Sequence, residues 1–203
     1  MKLKWQIFIF LVIGLVTFYS CSGKSMKYDI PPNEKAVNAA MAHNSQTLAK
    51  KYHLRPFGVT VAMPGGDIRY LALEFQICGP LSNEELRKIL IDAAHDFLAD
   101  INSDSELCPH LKNRSLNIRE IGIVLFLIDS SGRGLRDPHT SIAEISRGEL
   151  EYDILVDNYD DELKRNIPSY KSKYRESYEE ALVKQPFFCK FQNLSSIFSK
   201  LLP

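Results

Sequence analysis

The sequence predicts an α+β fold: a mainly antiparallel four-stranded sheet with helices packed on one face, in the order αββαββα. Three observations predict it. Two apolar segments with a period of two flank Pro64-Gly65-Gly66, an apolar stripe at helical spacing runs from Leu86 to Ile101, and residues 121–128 are almost continuously apolar.

Taken in order, residues 34–52 have helix-forming composition, with Val37, Ala40, Met41, Leu48 and Tyr52 on one side, and Pro56 sets a stop beyond them. Val59, Val61 and Met63 then alternate up to the glycine pair, and Leu71, Leu73, Phe75 and Ile77 alternate after it, which predicts a hairpin with one buried face. Ser82 and Glu85 have the spacing of a capping box. The helix they open carries Leu86, Ile89, Leu90, Ala93, Phe97, Leu98 and Ile101 three and four apart, the most regular stripe in the chain, with Asp92, His95 and Asp96 on its solvated side. Residues 117–128 read as a buried strand and residues 130–139 as a loop. Leu150, Tyr152, Ile154 and Val156 make a fourth strand that pairs with the third. Tyr170, Tyr174, Tyr178 and Leu182 recur every four residues, predicting a third helix, and the tail from Phe187 to Leu202 is apolar enough to close the core.

Composition sets bounds on the function. The 203 residues suffice for one well-buried domain, and 45% hydrophobic and 25% charged residues describe an ordinary folded protein. With 25 basic and 25 acidic residues there is no bulk field to hold nucleic acid.

The amino terminus carries an address. Lys2 and Lys4 precede an apolar run from Trp5 to Tyr19, short for a membrane span of about 20 residues, and Ser20-Cys21-Ser22-Gly23 closes it with small residues. This predicts a signal peptide over 1–20, a lipidated Cys21 with a tether over 21–33, and a single domain over 34–203. Ser20 fits a lipobox; Phe18 and Tyr19 are bulkier than its usual residues. Acylation would hold the protein at a membrane face, since each buried methylene contributes about 0.8 kcal/mol. Gly23-Lys24-Ser25 has the end of a phosphate-binding loop but lacks the glycine that such a loop needs five residues earlier, where Phe18 stands.

Few residues suggest chemistry. Cys108-Pro109-His110 joins a thiol and an imidazole, without a second Cys/His pair at zinc spacing, and is read as a loop. Arg133, Arg136, Asp137 and His139 share one loop, where guanidinium forks could hold a phosphate or carboxylate. His110, Arg133, Arg136 and His139 are therefore the candidate ligand contacts. In an oxidising compartment Cys78, Cys108 and Cys189 allow one disulfide, and Cys78–Cys108 is the expected pair. No nucleophile elbow, paired-glycine nucleotide loop, HExxH helix or calcium loop is present, so the sequence predicts no catalytic residue, cofactor or metal.

The stretch from Gly79 to Ile128, with Leu81, Glu84-Glu85, Phe97-Leu98, Ile101-Asn102, Pro109, Leu111 and Asn117-Ile118, together with residues 178–182, resembles an uncharacterised family of lipoprotein-like proteins of intracellular bacteria. The likeness covers about half the chain. Cys108-Pro109-His110 stands where that family tends to have Arg-Pro-Tyr. The resemblance implies an envelope placement and brings no activity with it.

The expectation is thus a non-enzymatic, membrane-anchored envelope lipoprotein, on the periplasmic or outer face, whose domain binds an envelope or host protein. An exported hydrolase with a loop-borne site and a small-ligand carrier are the alternatives. The open face of the sheet is the natural place to look for a site.

Overall fold

Two parallel strands joined through a helix organise the domain, and the other strands extend the sheet on either side. The computed structural model describes residues 29–185. The chain divides into Met1–Pro31 and Pro32–Pro203. The expected leader, Cys21, most of the tether, Cys189 and the apolar tail lie outside the described residues.

Helix α1 (Pro32–Tyr52) leads into β1 (Arg55–Ala62), which pairs antiparallel with β2 (Tyr70–Cys78). Helix α2 (Asn83–Ser103) and residues 104–120 then cross over to β3 (Ile121–Ile128), which runs parallel to β2. A crossover of this length is what parallel pairing requires. The strands β4 (Ile142–Ser146), β5 (Glu149–Asp160) and β6 (Arg165–Ser177) follow as an antiparallel meander, and helix α3 (Tyr178–Lys184) ends the described chain. The sheet order is β1-β2-β3-β4-β5-β6.

The core lies on one face. Leu71, Leu73 and Phe75 of β2 and Ile121, Ile123, Leu125 and Leu127 of β3 are fully buried against Leu86, Leu90, Phe97 and Ile101 of α2. Each such side chain contributes about 1.5–3 kcal/mol by leaving water. Val37, Met41 and Leu48 of α1 join the same cluster. Ser82 caps α2 in the expected box, its hydroxyl accepting from Glu85 N while Glu85 returns to Ser82 N at 2.8 Å. Ser177 and Glu180 repeat the device on α3.

A buried ion pair ties the far side of the sheet to α2. Arg87 Nε donates to Glu176 Oε1 at 2.6 Å, and Glu176 also accepts from Tyr152 Oη and Tyr174 Oη at 3.1 Å and from Lys184 Nζ at 2.7 Å. These donors hold the Glu176 carboxyl below its ordinary range against the opposing effect of burial.

The architecture corrects the four-stranded, αββαββα expectation: the sheet has six strands and is mixed. The third and fourth expected strands do not pair, because β4 lies between β3 and β5. With five residues and only Ala143 and Ile145 buried, β4 carries too short an alternation to stand out. The expected third helix over Tyr170–Leu182 is strand as far as Ser177. A spacing of four fits a strand as well as a helix, and the open edge of β5 offers backbone partners that a helix would not satisfy. A bulge between Tyr152 and Asp153 of β5 and their partners on β6 shifts the register. Tyr174 consequently faces buried Tyr152, while Tyr170 is exposed.

Candidate functional site

The parallel pairing of β2 and β3 brings the starts of both strands to one end of the sheet, and β4 ends there. Leu71 is level with Ile121, which places Arg69 and Arg119 at equivalent positions one strand apart, and Gly122 is level with Ser146, just before Arg147. Neighbouring strands lie about 4.8 Å apart, so the three arginines form a row along that end. All three line a cleft of about 950 Å³ on the face away from the helices. None of their guanidinium groups has an ion-pair or hydrogen-bond partner among the described residues.

Two glycines shape this end of the cleft. A Cβ on Gly122 would overlap the hydroxyl of Tyr70 and come within 3.0 Å of the Ala72 Cβ, so the bare backbone of β3 is what lets the phenol lie across it. Tyr70 Oη thereby reaches Ser146 Oγ on β4, 2.9 Å away. Arg147 and Gly148, with φ of 53° and 81°, make the turn between β4 and β5. At Gly148 a Cβ would lie 3.1 Å from Arg119 Cγ, so the stem of Arg119 rests on that turn.

Farther in, the face turns acidic. Glu144 of β4 stands opposite Glu151 of β5, and Glu151 opposite Arg175 of β6. Arg175 bonds Glu151 at 2.7 Å and lies 3.7 Å from Glu149. The Glu144 carboxylate has no hydrogen bond or ion pair among the described residues. Burial raises its pKa above the ordinary glutamate value, with help from the charges of Glu151 and Asp153 and partial relief from Arg175. Asp153 is raised by the same causes, burial first and then Glu151. The cleft therefore offers, among the described residues, cations without ion-pair partners at one end, hydroxyls in the middle, and a carboxylate without an ion pair beyond them.

The residues singled out in the sequence lie elsewhere. Asp129 organises the 129–139 loop by accepting from Ser131 N, Ser131 Oγ and Arg133 N at 2.6–3.0 Å, which lowers its pKa to about 2. Arg133 Nε lies 3.3 Å from the same carboxylate, and Arg136 pairs with Asp157 at 2.5 Å. These two arginines do line one recess, of about 600 Å³, but both are committed to carboxylates. His139 is exposed and outside that lining. His110, in the turn Cys108–His110, accepts from Ile68 N through its carbonyl beside the start of β2, at the opposite end of the sheet from the 129–139 loop. The four candidates are therefore not gathered into one site. Cys78 and Cys108 are free thiols at opposite ends of β2, which leaves the expected disulfide unformed.

The polar side of α2 is not merely solvated. Asp96 accepts from Tyr52 Oη and Lys51 Nζ at 2.5 Å, and His95 bonds the Tyr178 hydroxyl, so this side fastens α1 and α3 to α2. Among the described residues no group of three or more His, Cys, Asp or Glu is placed to hold a metal ion, and no helix is long and apolar enough to cross a membrane.

Sequence reasoning named the open face of the sheet but none of the residues that line this cleft. Arg69 and Arg119 precede strands fifty residues apart and meet only through the parallel register. The legible signal was Arg147-Gly148, a turn pair between two alternating segments. Comparisons with protein-family models, curated proteins and solved structures find no match.

Proposed function

We propose that this chain is an exported binding protein, anchored at the bacterial envelope through a lipid on Cys21, that takes its ligand on the open face of the sheet. The observation that carries the binding reading is the cleft lined by Arg69, Arg119, Arg147 and Glu144, whose charged groups have no ion-pair partner among the described residues. Three like charges along one end of a sheet repel each other, and a half-buried carboxylate with no ion pair among the described residues, facing a second carboxylate, disfavours folding. A ligand that neutralises both turns those costs into affinity. The anchor rests on the leader sequence, Lys2 and Lys4, the apolar run and Cys21.

Two measurements test the reading. In cells fed a fatty-acid analogue, the full chain should take up label and Cys21→Ser should not; equal labelling of both would remove the anchor. Hydrogen exchange of the purified protein, with and without a low-molecular-mass extract of bacterial envelopes, should show protection at 69–72, 119–122 and 144–151. No protection there would remove the binding site.

A further inference from the structure

We infer that the cleft recognises a small zwitterion, its anionic group held by the row of Arg69, Arg119 and Arg147 and its ammonium group by Glu144. The inference rests on the binding reading above and adds the ligand class. Guanidinium forks match carboxylate and phosphate oxygens, and three of them without partners among the described residues make an anion pole. Glu144 makes the opposite pole. Its neighbour Glu151 is already paired with Arg175, so Glu144 is the carboxylate of that facing pair that remains to be neutralised.

The backbone spacing along β4 favours a short ligand. Ser146 adjoins the arginine row and Glu144 lies two residues farther along β4, about 7 Å away. A dipeptide in extended form spans about 7 Å. Between the poles the Tyr70 phenol lies across the bare backbone of Gly122, and its hydroxyl and that of Ser146, 2.9 Å apart, line the cleft where they can hydrogen-bond a polar middle. The same pair of charges occurs in a short free peptide and in a phosphoethanolamine headgroup.

The test is calorimetric titration of the purified full chain with four probes: alanyl-alanine, its N-acetyl derivative, its C-terminal amide, and glycerophosphoethanolamine. At least one of the two zwitterions should bind. Alanyl-alanine as the binder indicates a peptide source, and glycerophosphoethanolamine a lipid headgroup. Blocking either end of alanyl-alanine should weaken binding about tenfold, as should Arg119→Gln and Glu144→Gln, both conservative changes on an exposed or half-exposed face. Binding of the N-acetyl derivative or the amide as tightly as the parent overturns the inference, because one pole is then idle. If neither zwitterion binds while the envelope extract still protects the cleft from exchange, the ligand class is wrong and the binding reading stands. If the extract protects nothing there, the binding reading itself fails.

Discussion

Glu144 on β4 stands directly opposite Glu151 on β5, two carboxylates facing each other across one strand pair on the open side of the sheet. Like charges so placed destabilise a sheet. Arg175 relieves one of them, lowering the pKa of Glu151, while Glu144 is left with a raised one. A carboxyl whose folded pKa exceeds its unfolded value binds its proton more tightly in the folded chain, so stability falls as pH rises from about 4.5 through the raised value. Glu144→Gln should remove that fall and be more stable at pH 7 by roughly 0.2–1 kcal/mol. Urea unfolding across pH 4–8 checks this, and an unchanged pH profile would mean that Glu144 is not under the strain described.

The Tyr70–Ser146 bond depends on the absence of a side chain at 122. Gly122→Ala should displace the phenol and cost about 1–3 kcal/mol, although alanine is the better strand residue in isolation. In a Tyr70→Ala background, with the ring gone, the same substitution should cost less, the remaining close contact being the Ala72 Cβ at 3.0 Å. A double-mutant cycle by denaturant unfolding separates the two; equal costs in both backgrounds would show that the strand, and not the phenol, requires the glycine.

What was legible in the sequence followed from local pattern. The stripe of α2, its Ser82–Glu85 box, the β1–β2 hairpin and the buried run of β3 each have a period or cap contained within a dozen or so residues. What was not legible depends on pairing between distant segments. The parallel register of β2 and β3 is invisible until α2 is placed, and it alone aligns Arg69 with Arg119. Residues 170–177 have a period that suits either structure, and the edge of β5 decides it. The loop that gathered Arg133, Arg136 and His139 was chemically suggestive, but Asp129 and Asp157 account for its arginines.

The buried Glu176 network should govern acid stability. With side-chain exposure of 9% for Arg87 and 1% for Glu176, removing the negative charge leaves a buried cation without its partner. Glu176→Gln should cost about 3–5 kcal/mol. Because the pKa of Glu176 is lowered on folding, its contribution is present above the ordinary value of 4.5 and is lost as pH falls through the lower folded value. Unfolding at pH 3–7 should show wild type and variant converging at the acid end. A constant difference across that range would place the cost in shape and not in charge.

The two described thiols should differ in reactivity without pairing. Cys78 is exposed, whereas Cys108 is half-buried with its Sγ donating to Asn102 O at 3.4 Å. A brief maleimide pulse followed by peptide mapping should label Cys78 first and leave Cys108 to react on longer exposure. A disulfide-linked peptide containing both would contradict their separation along β2.

Arg147 sets binding against stability at a single position. The turn between β4 and β5 needs positive φ at both central residues, and an arginine at φ of 53° is disfavoured where asparagine is accommodated. Arg147→Asn should therefore stabilise the fold by about 0.5–1 kcal/mol in thermal or denaturant unfolding. It also takes one guanidinium from the anion pole, so affinity for the zwitterion probe should fall about tenfold. Higher stability with unchanged affinity would remove Arg147 from the site and leave the pole to Arg69 and Arg119. Unchanged stability would mean that the neighbouring strands alone fix the turn, whatever residue occupies it.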